Sequence, residues 1–406
     1  GVVVGVFSHV EAPLAQRGVT GVLAGRVAVD QHAVQARLKP LGRFLPAHGL
    51  GRRAHAVRVG RLACHIRRQR AAPFDHDAQA AKTEDFDLDR RAVDHAPNGK
   101  DGLFLATTGA VVLRRTTIRS ARAAAYGGLY ALNAASTTLD RVELRDDRSL
   151  AGPTGGLSID GGAGSVSLRL VRVVRNTASG FGGGGIIRAH RITIRDSEIS
   201  ENVGSPLGGL QVSGDAGGAT ALIERTTIAL NRSAVSGPGA GLAFLGASTT
   251  ATLRNVSVVG NSQVGTGPGG GVYADALLVL RNSTIAGNTA ALGSGIYATA
   301  TIDAANSIVD GGCYMGGAVT SRGGNVDRGA TCGFTAATDR QMTDPLLDVF
   351  GPHGGPVRTI GLRKGSPAID HAVPGYCPAT DARGVRRPRD GDGDGRKACD
   401  IGALER

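Results

Sequence analysis

Aliphatic and polar residues alternate along the middle of the chain in a nine-residue phrase that keeps returning. The phrase reads LRNVSVVGN at 253–261, LRNSTIAGN at 280–288 and, less regularly, IRDSEISEN at 194–202. A phrase that repeats with a period of about 20 to 50 residues is the signature of a solenoid, whose coils pack only on their neighbours. The pattern therefore predicts one long stack of similar coils.

One aliphatic residue near the end of each phrase sets the period. Successive anchors lie 26, 29, 26, 29, 30, 27 and 23 residues apart. They are Ile118, Leu144, Val173, Ile199, Ile228, Val258, Ile285 and Ile308. The residue two positions before each anchor shares its face of a strand. A further aliphatic residue lies five positions before every anchor except the last, where Asp303 stands.

Asparagine and glycine mark the ends of these strands. Asparagine follows three positions after five of the anchors, at Asn176, Asn202, Asn231, Asn261 and Asn288. Stacked asparagine amides can bond from coil to coil, and asparagine tolerates left-handed backbone. Paired glycines precede a second aliphatic phrase, as in GGLY at 127–130 and GGLS at 155–158. We expect glycine to supply the positive φ of the corners.

These features predict an all-β chain that folds as a right-handed parallel β-helix of about eight clear coils, each of 23–30 residues. Leucine-rich repeats have a similar period. Leucine-rich repeats are disfavoured because threonine, serine and valine occupy the predicted strands. Glycine-rich segments also stand where those repeats have a helix.

Two stretches resemble known bacterial families. NSTIAGNTAALGSGIYATATIDAANSIVDG at 282–311 is similar to bacterial right-handed parallel β-helix repeat proteins and to polymorphic outer-membrane protein repeats. That resemblance covers about 103–312 and implies a pectin lyase-like fold more than a function. The tail contains DPLLDVFGPHGGPVRTIGLRKGSPAID, CPATDARGVRRP and CDIGALE, and it resembles the choice-of-anchor Q module. His353 stands where that module usually has Asn, and Leu404 where it has Phe.

The resemblance and the repeat boundaries divide the chain into four regions. Residues 1–97 lack the period and are interpreted as degenerate coils, a cap or an artefact of translation. The β-helix is expected over 98–312, an irregular last coil over 313–343, and the choice-of-anchor Q-like module over 344–406. That module commonly precedes a surface-sorting signal, which does not follow Arg406. Its prolines block ladder extension, so we expect it to cap the last coil.

The cysteine content indicates the cellular compartment of the protein. Four of the five cysteines fall in the last quarter as two pairs, Cys313 with Cys332 and Cys377 with Cys399. Two disulfides there would indicate an oxidising compartment, so an exported, extracellular or outer-surface protein is expected. The sequence contains no apolar run of 18 residues, so a membrane-spanning helix is not expected.

The net charge of +12 is almost entirely due to arginine. It fits either a polyanion partner or arginine scattered over a solvated surface. The second interpretation is favoured, and a specific nucleic-acid partner is not expected, because no basic block is interleaved with aromatic residues.

Parallel β-helices include pectate lyases and polygalacturonases, whose catalysis depends on clustered carboxylates and, in lyases, a nearby basic residue. Asp146, Asp147, Asp196 and His190 are the residues that such an activity would use. Arginines at corresponding positions alternate with these carboxylates, which indicates charge balance along a solvated face. We therefore expect a scaffold or adhesin-like monomer without catalysis, with a polysaccharide or cell-surface glycan as partner. The alternative is a polysaccharide lyase or glycoside hydrolase.

Two further motifs have candidate chemistry. Asp390, Asp392 and Asp394 alternate with glycine, as at the start of an EF-hand loop, although the closing glutamate is missing. They are candidate Ca²⁺ ligands, and the alternative is a solvated acidic turn without a cofactor. Tyr273 and Tyr297 follow glycine corners on neighbouring coils, where outward rings could bind sugar faces or stack on each other.

Overall fold

A computed structural model describes residues 3–5, 86–89, 92–94, 102–215 and 217–406. The described residues form an all-β stack in which each coil runs through up to four short strands, one on each of four faces, A to D. Strands on one face pair in parallel from coil to coil, so the chain is a right-handed parallel β-helix of about eight turns. Most of the expected N-terminal region 1–97 lies outside the described residues.

Faces A and B together form the largest sheet. Face A contains Leu103–Ala106, Leu129–Leu132, Leu210–Ser213, Leu242–Leu245, Val272–Ala274, Ile296–Ala298 and Cys313–Met315. Face B contains Phe86–Asp89, Ala110–Arg114, Ser136–Asp140, Thr220–Glu224, Thr250–Arg254, Leu277–Arg281, Ile302–Ala305 and Val319–Ser321. Two long strands, Leu157–Arg169 and Gly185–Arg195, run through both faces, and Val3–Gly5 pairs antiparallel with Leu103–Ala106. Because Phe86–Asp89 pairs with Ala110–Arg114, the stack begins before residue 98.

Faces C and D complete the coils. Face C contains Ala92–Asp94, Thr117–Arg119, Glu143–Arg145, Arg172–Val174, Glu198–Ser200, Thr227–Ala229, Ser257–Val259, Thr284–Ala286, Ile308–Asp310 and Val326–Asp327. Face D contains Arg122–Ala123, Arg148–Ser149, Thr177–Ala178, Val203–Gly204, Arg232–Ser233 and Ser262–Gln263. Among the described residues, the helical element is a single 3₁₀ turn at Pro374–Tyr376.

The core is a set of aliphatic columns that run the length of the stack. The anchors pair directly from Ile118 and Leu144 as far as Ile285. The next partner of Ile285 is Val309, so the prediction that Ile308 is the last anchor was wrong. With Val309 as the anchor, Ala304 rather than Asp303 continues the column of Leu280. Ile308 faces outward from its strand, but the tail buries it. An aliphatic residue therefore stands there although it is not part of the inner column, and the sequence pattern could not distinguish the two.

Positive φ at the corners comes from glycine and from other residues in similar measure. The residue three positions before each anchor is left-handed, from Arg115 at φ 47° to Asn306 at φ 52°. As expected, glycine supplies positive φ in the later coils, at Gly239, Gly269 and Gly293. The paired glycines of the earlier coils have another role. A Cβ on Gly127 would lie 2.3 Å from the carbonyl oxygen of Gly155 in the next coil. These glycines are required by the close approach of neighbouring backbones.

The end of the stack is closed by a short segment. Buried Cys332 and Phe334 pack on the last core residues, and Cys332 is bonded to Cys313. The tail is placed differently from the expected cap. Its residues 344–406 lie along face C, where Ile360 packs on Ala229 and Val259. The outward positions of Thr227–Ala229, Ser257–Val259 and Thr284–Ala286 beneath the tail are small or apolar, and this allows the tail to approach these strands.

Candidate functional site

Asp146 and Asp196, two of the candidate catalytic carboxylates, are held by arginines of neighbouring coils. Arg175 binds both oxygens of Asp146 at 2.8 and 3.0 Å, and Arg225 binds both oxygens of Asp196 at 2.7 and 3.1 Å. The hydrogen bonds from Arg175 lower the pKa of Asp146. A carboxylate in a bidentate arginine pair is a weak base and a poor nucleophile.

The other two candidates lie apart from these pairs. His190 is exposed at the start of the face B segment of Gly185–Arg195, whereas Asp196 follows the end of that strand. Six residues of strand separate them by about 20 Å. Asp147 is only 1% exposed. The structure therefore does not bring Asp146, Asp147, Asp196 and His190 together into one site.

The five asparagines lie in a continuous ladder at the corner between faces C and D. From Asn202 to Asn288, each side-chain oxygen accepts from the backbone N–H and from the Nδ2 of the preceding asparagine, at 2.9–3.1 Å. Each Nδ2 also donates to a carbonyl of the coil below, as Asn176 does to Leu144 at 3.0 Å. The ladder satisfies buried polar groups that the corner would otherwise leave unpaired.

Asp147 continues this ladder in the coil below Asn176. Its backbone N–H donates to Asn176 Oδ1, and its own Oδ1 accepts from the N–H of Ala121, both at 2.9 Å. Its Oδ2 takes the place of the amide nitrogen and has no hydrogen-bond partner. Burial raises the pKa of Asp147 from 3.8 to about 8. This carboxyl is a structural group of the ladder, and its protonated form avoids the cost of a buried charge.

Arginine and acidic residues alternate in columns along the outer faces. Glu224 lies between Arg195 and Arg254, with contacts of 2.9 and 2.7 Å. Asp303 lies between Arg281 and Arg322, with contacts of 2.8 and 2.9 Å. The charge balance expected from the sequence thus takes the form of ion pairs between coils.

The outward tyrosines of face A stack ring on ring. Tyr297 lies between Tyr273 and Tyr314, with centroids 5.4 and 4.5 Å away and interplanar angles of 6°. Both ring faces of Tyr297 are therefore covered by neighbouring tyrosines, whereas the stack covers one face of Tyr273. Sequence reasoning missed Tyr314 because Cys313 replaces the aliphatic residue that precedes the other tyrosines.

The acidic loop of the tail forms a small cluster. Asp390 and Asp392 have carboxylate oxygens within 4.8 Å of each other and of Asp370, whereas Asp394 is outside this group. Asp370 was missed because it lies 20 residues upstream of Asp390. These three residues could hold a metal ion. They provide fewer than the six to eight oxygens that Ca²⁺ takes, so waters or backbone carbonyls would have to supply the rest.

The tail also contains a cavity of about 210 Å³. Its lining includes His353, Leu362, Arg383, Arg389 and Leu404. The sequence pattern gave no signal for it, because its walls come from three separate stretches of the tail.

Comparison with known proteins supports the fold. Residues 96–274 match the family model described as the right handed beta helix region. No curated protein and no solved structure matches the chain. The match agrees with the right-handed parallel β-helix that the strands form.

Two observations bear on the compartment. The structure contains both expected disulfides, Cys313–Cys332 and Cys377–Cys399, which are compatible with an extracellular protein. In the part of the chain that the structure describes, no helix is long and apolar enough to span a bilayer.

Proposed function

We propose that the protein is an exported scaffold of the cell surface or medium that binds glycans without transforming them. The two disulfides support export, since such bonds persist in oxidising compartments. The resemblance of the tail to the choice-of-anchor Q module supports a place at the bacterial surface. The rigid stack would present its outer faces, and the tail docked on face C, to polysaccharide or to another cell.

The pairing of the outer carboxylates carries the non-catalytic part of this proposal. A glycoside hydrolase needs two carboxyl groups about 5 to 9.5 Å apart, one of them able to donate a proton. A lyase needs a group that can take a proton from the substrate. Asp146 and Asp196 are bound by arginines on both oxygens. Glu224 and Asp303 are likewise paired with arginines of neighbouring coils. This arrangement favours cohesion between coils over acid–base chemistry.

The test uses the full-length chain and a panel of uronate-containing and neutral polysaccharides, with and without Ca²⁺. We expect retention of at least one polysaccharide on the protein, with no unsaturated or reducing ends released. Release of such ends by the folded protein, and its loss in Asp196→Asn, would establish the lyase or hydrolase instead. Failure to retain any member of the panel would contradict the glycan-binding part.

A further inference from the structure

The cavity of the tail has the lining that a small acidic sugar requires. We propose that it binds one carboxylate-bearing sugar residue, such as a uronic acid, of a glycan. The glycan origin of this ligand rests on the proposed function, whereas the cavity and its charge do not. The inference adds a site and a ligand class that lie outside the solenoid.

Two arginines of the lining are available to a ligand. Arg389 and Arg406 line the cavity and are exposed. Neither side chain forms an ion pair with a carboxylate of the residues that the structure describes, whereas the outer arginines of the solenoid are largely paired. A guanidinium group binds a carboxylate through two parallel hydrogen bonds, which gives geometric selectivity for a planar acid.

A third arginine makes one wall rigid. Arg383 contacts Oδ2 of buried Asp381 with Nε at 2.8 Å and with Nη2 at 2.7 Å. Its Nη1 donates to the carbonyl oxygen of His353 at 3.3 Å. These bonds fix the positions of two lining residues before any ligand arrives. A wall that is already ordered reduces the entropy lost on binding.

The remaining lining fits the other parts of a sugar ring. Leu362 and Leu404 offer apolar surface to its C–H face, and the exposed carboxylate of Asp348 can accept from a hydroxyl. The volume of about 210 Å³ is below the roughly 300–1,000 Å³ of sites for drug-sized ligands. A single ring is therefore the appropriate size.

The one buried carboxyl of the lining does not oppose an acidic ligand. Glu405 accepts the backbone N–H of Arg389 at 2.8 Å and that of Asp400 at 3.1 Å, so its oxygens are already engaged. Burial raises the pKa of Glu405 to about 7, and this lessens its negative charge at neutral pH. Arg383 is paired with Asp381, and Glu405 lies 3.4 Å from Nε of Arg387. The lining therefore has two unpaired guanidinium groups, of Arg389 and Arg406, against the one exposed carboxylate of Asp348.

Titration calorimetry of the full-length chain tests the inference with D-galacturonate, D-galactose and acetate as probes. Galactose lacks the carboxylate and acetate lacks the ring. Arg389→Gln removes a cation, and Gly361→Val fills the cavity while keeping all the arginines. A Cβ at Gly361 would meet only ordinary contacts with His353 and Asp348, the nearest at 3.5 Å, and its φ is not positive. Arg122→Gln, an exposed arginine of face D, is the matched control.

We expect galacturonate to bind at least tenfold more tightly than galactose or acetate. We expect each cavity variant to lose at least tenfold, and Arg122→Gln to bind as the wild type does. Equal binding of galactose would overturn the acidic class, and equal binding of acetate would overturn the sugar. Galacturonate binding that survives both cavity variants would overturn the site. Retention of polysaccharides by such variants would still leave the scaffold proposal standing.

Discussion

Arg358 of the tail binds Glu198 of the solenoid, across 160 positions of sequence. Its Nε lies 2.9 Å from Oε1 of Glu198, and its Nη2 donates to Ser200 at 3.1 Å. Glu198 faces outward from its strand, yet the tail leaves its side chain only 6% exposed. The pair thus attaches the tail to the stack near the middle of the chain.

Arg358→Gln is expected to loosen this attachment. It leaves the buried Glu198 without its cation, and because Arg358 is 32% exposed, we expect a loss below the about 3–5 kcal/mol of a fully buried pair. Urea denaturation should show this loss, and limited proteolysis should cut the tail faster than the solenoid. The double variant Glu198→Gln with Arg358→Gln should recover most of the loss.

The control for this prediction is another pair on the same face. Arg172 and Glu143 are 3.1 Å apart, and the arginine side chain is 53% exposed. Arg172→Gln should change the free energy of unfolding by less than about 1 kcal/mol. Similar losses in Arg172→Gln and Arg358→Gln would contradict the anchoring role of Glu198.

Asp147→Asn is expected to stabilise the protein increasingly as the pH rises. The pKa of Asp147 is raised from 3.8 to about 8, so folding favours its protonated form. The wild type therefore loses stability relative to the variant between those two pH values, by up to about 1.4 kcal/mol per pH unit. Below pH 3.8 the two proteins should unfold alike, and above pH 8 the gap should stay constant.

Asp146→Asn provides the contrast, since the pKa of Asp146 is lowered by Arg175. That variant should be slightly less stable than wild type at neutral pH, and the difference should vanish in acid. Denaturant midpoints across the pH range distinguish the two signs. A pH-independent effect of Asp147→Asn would rule out a protonated carboxyl in the ladder.

Asn231→Ala is expected to destabilise the middle of the ladder strongly. The change removes the acceptor of Asn202 Nδ2 at 2.9 Å and the donors to Ile199 and Asn261 at 3.0 and 2.9 Å. Each buried group left unpaired costs about 1–3 kcal/mol. The exposed neighbour serves as control, and Arg232→Ala should stay within about 0.5 kcal/mol of wild type in the same denaturation experiment. Equal midpoints for the two variants would contradict the ladder's contribution.

Gly156→Ala tests the role of the paired glycines. A Cβ there would lie 2.5 Å from the carbonyl oxygen of Gly184, closer than any real contact. Neighbouring coils would have to separate, so we expect a loss of at least about 1–3 kcal/mol, as for an overpacked core. At Gly351 a Cβ meets nothing within 4 Å. Gly351→Ala should leave the thermal midpoint almost unchanged, and a comparable drop in both variants would refute the steric explanation.

Local repetition explains why so much of the solenoid could be predicted. Each coil pairs in register with the next, so the same positions face the core in every repeat, and a period in the sequence becomes a column in space. The last anchor is Val309 and not Ile308, which shows the limit of a prediction made from repetition. Ile308 is aliphatic because Ala368 and Ile401 of the tail cover it, and repetition alone carries no information about the tail.

For the candidate sites, too, the sequence located individual residues, whereas the tertiary structure decided their partners. Sequence spacing located Asp146, Asp147 and Asp196 but could not give their partners, because ion pairs and burial depend on the adjoining coils. Tertiary structure decided that Asp147 lies inside the ladder and that Asp370 joins Asp390 and Asp392. It also created the cavity of the tail from stretches that are distant in sequence.

By itself, the sequence determined the parallel β-helix, its period, its asparagine corners and its cysteine pairs. These features follow from short-range rules of strand alternation and corner chemistry, which repeat in every coil. The docking of the tail along face C, and with it the exposure and charge of every outward residue beneath, was decided only in three dimensions. The reason is physical, since burial depends on which distant surface covers a residue and no local pattern encodes that surface.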